Sequence, residues 1–317
     1  MTRQYERGAN AVRARLRGPA LGIAAIGAAA ALWAIAAAVA SDLFDEGVPP
    51  VELAEARSVI AALGFVVLAA IRHPPATRRD RARRVHPLHL IALGLSIALV
   101  NAAYYLAIDR LPVAIAIVLQ YTAPAMVVGY TAVVSRRTPS KEIVIAVVAA
   151  VVGVVLVAEV PGGDLGTLDT LGIAFGLCSA VLFATYTLLS EPAGKMWGPI
   201  EAMRRAFIVA SVAWVLFQIP RGWPQELFDL DNLAQVIYVG LFGTLAPFLL
   251  YVWAIGIVRP DRATIAATLE PVLAAVVAWV WLGQDLSLMQ IAGGVLVIAA
   301  VALLQLRGTR PVIAPEP

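Results

Sequence analysis

The sequence predicts an all-α membrane protein of ten transmembrane helices, built as two inverted five-helix repeats with both termini in the cytoplasm. Three observations predict it. The 317 residues are 61% hydrophobic and 14% charged, with a mean hydropathy of +0.83, whereas a soluble domain is nearer half apolar and a quarter charged. The apolar residues gather into runs of about 20, the length a helix needs to cross the hydrocarbon core. The pattern also occurs twice: shifted forward by 147 residues, Tyr104 falls on Tyr251, Ala107 on Ala254, Ala116 on Ala263, Pro124 on Pro271 and Ser140 on Ser287.

Residues 1–18 form a polar N-terminal segment carrying Arg3, Arg7, Arg13, Arg15 and Arg17. The first apolar run, 20–40, contains Trp33 and ends in Ala38-Val39-Ala40. A basic stretch, an apolar run and small residues also fit a secretory signal. This run is long for a signal core and has a counterpart in the second half, so it is read as a span. The further spans are expected at 52–71, 88–107, 112–134, 142–159, 168–190, 199–219, 233–257, 263–282 and 286–306. Gly172 and Gly176 make a small-xxx-small pair suited to close helix packing in lipid. The repeat offset places spans 4 and 5 on spans 9 and 10. Pro50-Val51-Glu52 matches Pro199-Ile200-Glu201 with one small insertion or deletion. The repeats are thus 19–159 and 160–306, followed by a tail, 307–317. An odd number of helices per repeat makes the second copy enter the membrane from the opposite side, the arrangement that permits alternating access.

Orientation follows from the basic residues. With the N-terminus inside, the segments 1–18, 72–87, 135–141, 191–198, 258–262 and the tail are cytoplasmic and hold most of the 24 lysines and arginines. Acids mark the outer loops instead: Asp42, Asp45, Glu46, Asp164, Asp229 and Asp231. The net charge of +3 and the pI of 9.2 reflect these loop arginines, and no nucleic-acid partner is expected. The cluster Arg72, Arg78, Arg79, Arg81, Arg83 and Arg84 is read as a topology determinant, and the adjacent His73, His86 and His89 as solvated. No metal or other cofactor is expected, because those histidines are read as solvated and no cysteine accompanies them. The one cysteine, Cys178, forms no intrachain disulfide. There is no G-x-x-x-x-G-K-[ST] loop for ATP, and no nucleophile triad is read in the spans. Gly162-Gly163-Asp164 reads as a short outer turn.

The candidate site is centred on the duplicated prolines, since paired interrupted helices at matching places in two repeats point to a transporter's substrate site. Proline lacks the N–H that a helix needs, so Pro124 frees the carbonyl of Gln120 and Pro271 that of Ala267. Such carbonyls must face protein or a wet cavity. Glu270 is the carboxylate expected well inside a span. It either carries a proton or binds a substrate amine, or it pins the kink or neutralises Arg204 or Arg205. Arg57, early in span 2, either pairs with Glu52 or binds a substrate carboxylate. Asn101 and Tyr105, the repeat mates Tyr104 and Tyr251, Gln120, Thr264 and Thr268 are expected to share the cavity with Trp33, Tyr121, Tyr186 and Trp253. Tyr121 and Tyr186 lie deepest of these aromatics.

Several of these residues carry a family resemblance. Tyr104-Tyr105-Leu106-Ala107-Ile108, Leu111-Pro112, Thr122-Ala123-Pro124, Leu269-Glu270-Pro271-Val272-Leu273-Ala274-Ala275 and Trp281-Leu282-Gly283-Gln284 resemble the repeat of EamA-type transporters of the drug/metabolite transporter superfamily. Leu32-Trp33, Arg57 and Phe183-Ala184-Thr185-Tyr186 fit the same pattern, whereas Ala34-Ile35 stands where that family usually has Gly-Ser or Gly-Asn. The resemblance implies ten helices, inverted repeats and a central cavity, and is nearest to amino-acid exporters of the threonine/homoserine and aromatic type. The expectation is a secondary transporter of the bacterial cytoplasmic membrane that exports small amphipathic metabolites. Its partners would be a small-molecule substrate, the lipid bilayer and, through Glu270, protons, in a monomer or homodimer. A membrane-embedded enzyme, a lipid-handling protein and a non-transporting sensor are the alternatives.

Overall fold

The computed structural model describes residues 2–71, 87–111, 113–136, 138–160, 169–221, 230–282 and 285–307. Among these the chain is helical nearly throughout: α1 (Thr2–Asp45), α2 (Pro50–Ile71), α3 (Pro87–Ile108), α4 (Val113–Gln120), α5 (Ala123–Ser135), α6 (Lys141–Val157), α7 (Thr170–Trp197), α8 (Pro199–Gln218), α9 (Leu230–Gly240), a π-helical stretch (Leu241–Leu245), α10 (Ala246–Val258), α11 (Pro260–Ala267), α12 (Leu269–Leu282) and α13 (Leu288–Arg307). Each expected segment contains helix among the described residues, and 112–134 and 263–282 hold two helices each. Among the described residues, six stretches are long and apolar enough to cross a membrane: Gly18–Phe44, Pro50–Ile71, Pro87–Ile108, Ile115–Val134, Thr170–Trp197 and Asn232–Val258, with Leu288–Leu304 shorter. The remaining segments miss that measure for visible reasons. Helix α6 has 17 residues, α8 carries Glu201, Arg204 and Arg205, and α11–α12 is divided and holds Asp261, Arg262 and Glu270.

Some boundaries differ from expectation. The N-terminal segment is helical from Thr2 and continuous with the first span, because nothing before Asp45 breaks it except Pro19, which α1 accommodates. The expected loop 191–198 is instead the last two turns of α7, with Pro192 inside the helix and an exposed Lys195–Glu191 pair at 2.5 Å. His89 is not a solvated loop residue: it lies in α3, and its Nε2 sits 3.0 Å from the Leu189 carbonyl. The arginine-rich loop with His73 and His86, the Gly162-Gly163-Asp164 turn and the tail beyond 307 lie outside the described residues.

Both proline-marked helices are broken, and the new helix starts one residue before the first proline and two before the second. The first stops at Gln120 and restarts at Ala123, and the second stops at Ala267 and restarts at Leu269. Pro124 and Pro271 therefore do not bend a running helix. Each sits in the first turn of a new one, where a missing N–H costs nothing. A threonine closes each break: Thr122 Oγ1 donates to the Leu119 carbonyl at 2.7 Å, and Thr268 Oγ1 to the Ile265 carbonyl at 2.6 Å. Ser/Thr hydroxyls of this kind re-satisfy backbone groups that lipid would leave bare.

The packing alternates between the halves. Helix α3 lies along α7 and α1 along α10, while α2 pairs with α8 and α6 with α13. Small residues permit the closest approaches. A Cβ on Gly176 would stand 2.7 Å from Leu119, and one on Gly172 2.7 Å from Leu111, so the predicted glycine pair seats α7 against α4 and the turn before it. Gly153 and Gly293 bring the backbones of α6 and α13 together. Leu63, Val133, Val148 and Val280 are exposed on the outside of the bundle, which suits lipid tails.

Candidate functional site

The two breaks face each other. Tyr121, in the first break, is 2% exposed and donates its hydroxyl to Glu270 Oε2 at 2.6 Å, across 149 residues of sequence. Glu270 follows the second break at the start of α12. Above this pair a narrow cavity of about 60 Å3 opens into the middle of the bundle, room for a few water molecules. Its aromatic wall is Trp33, Tyr104, Tyr105, Tyr121, Phe183, Tyr186 and Phe248. Tyr186 and Phe183 stack with ring centres 5.3 Å apart, three residues apart on α7. The polar groups that reach the cavity are Arg57, Asn101, Gln120 and Glu270.

Arg57 is 4% exposed, and its bonds fix where it points. Its Nε donates to Thr244 Oγ1 at 2.7 Å, Nη1 to Tyr105 Oη at 2.6 Å and Nη2 to the Gly243 carbonyl at 2.5 Å. That carbonyl is free because Pro247, four residues on in α10, has no N–H to bond it. The same deficit widens the helix into the π-helical stretch, where Thr244 Oγ1 donates back to the Val239 carbonyl at 3.0 Å. So the partners of Arg57 lie on α3 and the π stretch rather than one turn away at Glu52. A guanidinium has five N–H donors. Three are used here, and the residue lines the cavity.

The other expected site residues divide in two. Trp33, Asn101, Tyr104, Tyr105, Gln120, Tyr121, Tyr186 and Glu270 line the cavity. Pro124, Tyr251, Thr264, Thr268 and Pro271 do not. The prolines are buried behind the breaks, and Thr264 and Thr268 bond the carbonyls of their own helix. Tyr251 backs the wall, 3.2 Å from Thr187 Oγ1 and with its ring 5.6 Å from Trp33. Trp253 is 37% exposed, on the outside. Arg204 and Arg205 do not neutralise Glu270. Both bond Glu201, at 2.7 Å, one helical turn away, and Arg205 also covers the Trp197 ring. Phe183, Phe248, Val100, Ala36 and Ala37 line the cavity unforeseen. Pro247 next to Phe248 and the i, i+3 spacing of Phe183 and Tyr186 were the available signals. The walls thus come from α1, α2, α3, α4, α7, α10 and α12.

The cavity places a cation and an acid in one aromatic chamber without joining them. The ion pairs among the described residues do not link Arg57 and Glu270. Charges held apart inside a bundle and lining a cavity are characteristic of pathways for polar solutes through membranes.

Known proteins fit this architecture. The profile of the EamA-like transporter family matches twice, over residues 20–158 and 170–306. The threonine/homoserine exporter RhtA of Salmonella typhimurium is 30% identical over 75% of this chain and 77% of its own. An uncharacterized transporter of Archaeoglobus fulgidus is 28% identical over 68% of this chain and 75% of its own. A solved crystal structure, 18% identical, superposes with a TM-score of 0.69 over 93% of this chain and 99% of that one, which speaks to the fold. With both halves matched, this multi-pass membrane protein belongs to the EamA-like transporter family.

Proposed function

We propose that the protein is a secondary transporter of the bacterial inner membrane that exports amino acids or closely related amphipathic compounds. The observation that carries this reading is the separated pair of poles, Arg57 and Glu270, in one aromatic-lined cavity between the broken helices. A zwitterionic amino acid fits that chemistry. Its carboxylate would take the two unused N–H groups of Arg57 bidentately. Its ammonium would take the Glu270 oxygens that Tyr121 leaves open. The aromatic rings would hold the side chain. The relatives named as threonine/homoserine exporters support the substrate class.

The cavity is too narrow for an amino acid as it stands, so loading requires the walls to part. The reading is of ten spans in two inverted five-helix halves, 19–159 and 160–306, flanked by the N-terminal segment 1–18 and the tail 307–317, with both termini cytoplasmic. The double match of the family profile supports the duplication, and the exchange of partners between halves suits a rocking motion. The breaks at Tyr121-Thr122 and Thr268 would be the hinges. Glu270 would couple transport to protons by exchanging a proton for the substrate ammonium.

Flux of labelled L-threonine from proteoliposomes, with and without an imposed pH gradient, tests this. Glu270→Gln and Arg57→Gln are each expected to lower the rate at least tenfold, and Glu270→Gln to abolish the response to the gradient. Correctly folded variants that match the parent in rate would remove the central site from the mechanism.

A further inference from the structure

A second cavity, of about 220 Å3, lies away from the first, between the C-terminal end of α5, the start of α6 and the α10–α11 junction. Thr131, Ser140, Arg259 and Asp261 reach it over an apolar floor of Val128 and Ile143. Asp261 is 6% exposed, and its Oδ1 is buried without a hydrogen-bond donor. Arg259 Nε forms an ion pair with it at 3.6 Å, longer than a hydrogen bond. A buried carboxylate left so is unfavourable unless a donor completes it. The Arg259 side chain is largely exposed, on a backbone with φ +74°, and is free to swing into the pocket. The cavity therefore has a fixed, under-satisfied anion and a movable cation beside it.

The feature belongs to one end of the molecule. Moved back by the 147-residue repeat, Arg259 and Asp261 become Pro112 and Ala114, neither of which carries charge. Asp261 and Glu270 lie on the same broken helix, nine residues apart, or about 13 Å at 1.5 Å per residue. The second cavity thus stands in line with the central one, on the side where the α5–α6 and α10–α11 turns lie.

We propose that this pocket is a loading site for a zwitterionic α-amino acid, which separates the Asp261–Arg259 pair, binding its ammonium to the Asp261 carboxylate and its own carboxylate to Arg259, before moving to the central cavity. The inference rests on the proposed function for the ligand class and for the pocket's being cytoplasmic. A phosphatidylethanolamine headgroup presents the same pair of charges, so the test separates the two.

The thiol introduced by Thr131→Cys in a Cys178→Ala background reports on the pocket. Its labelling by a maleimide is followed in phosphatidylcholine nanodiscs. L-threonine is expected to slow labelling at least fivefold. Protection should survive Glu270→Gln and be lost in Asp261→Asn and, separately, in Arg259→Gln, whose exposed side chain makes misfolding a poor excuse. Nanodiscs containing phosphatidylethanolamine should label at the phosphatidylcholine rate. The proposal is overturned by absence of protection, by protection that follows Glu270 and ignores Asp261, or by protection from phosphatidylethanolamine alone. Lost protection with threonine flux intact would leave the central-site reading standing. Protection without flux would sink the transport reading and keep the pocket.

Discussion

A guanidinium inside a transmembrane helix is costly unless its donors are met. Arg57 meets three of them on two other elements, and Pro247 frees one of the acceptors. The residue was legible in sequence as a cation early in a span. Its partners were not, because a long side chain reaches along its own helix to whatever the fold places there. Arg57→Lys keeps the charge but cannot hold three divergent acceptors. It is expected to destabilise the protein by about 3 kcal/mol, since bonds to charged groups are worth more than neutral ones. Unfolding of the purified variant in mixed detergent micelles measures this, and a midpoint equal to the parent's would show that the donors are dispensable. Glu270 was legible as an intramembrane acid, and its link to Tyr121 emerges only when the two breaks meet.

At the scale of elements, the sequence locates both interruptions to within three residues and leaves their form open. A proline at a fixed place in both halves marks an interrupted helix, and the structure ends one helix and starts another there, with a threonine bonding the last carbonyls. Glycines are similarly ambiguous in sequence. Gly293 and Gly129 both look like small residues in apolar helices, yet a Cβ on Gly293 would sit 2.6 Å from the Gly153 carbonyl oxygen and 2.7 Å from the Val157 nitrogen. Backbone atoms cannot rotate aside, so Gly293→Ala should force α6 and α13 apart and cost about 2 kcal/mol. Around Gly129 there is open space. Gly129→Ala should be neutral or stabilising by up to about 1 kcal/mol through helix propensity. Thermal melting of the two variants side by side checks the contrast, and equal midpoints would mean that the close approach carries no strain.

Over the whole molecule the halves are bound by exchange of partners, α3 with α7 and α1 with α10. A polar tie reinforces this at one end. Arg110, just past α3, bonds Asp169 at 3.3 Å, and Asp169 caps α7 through Leu171 N and Gly172 N. The Gly172 and Leu171 amides, with Arg110, hold the Asp169 carboxyl below the usual carboxylate range. A depressed folded value means that the stabilisation is present above the unfolded value near 3.9 and is lost as pH falls through the folded one. Asp169→Asn should therefore lower the melting temperature at pH 7 and converge with the parent below about pH 3. A difference that persists unchanged into acid would show that the charge is not what stabilises the cap.

The sequence by itself determined the helical membrane class, the duplication, the places of the breaks and most of the residues that reach the cavity. These follow from apolar run length, the repeat offset and proline chemistry, all of which act locally along the chain. Tertiary structure alone decided which charges are partnered within a helical turn, as Arg204 and Arg205 are by Glu201, and which are held apart across the bundle, as Arg57 and Glu270 are. It also decided that Thr264, Thr268 and Tyr251 serve the walls and that Asp261 lies buried beside a second cavity. The reason is that the direction and company of a side chain depend on how helices from the two halves are set against each other, and the pattern along a single helix does not encode that.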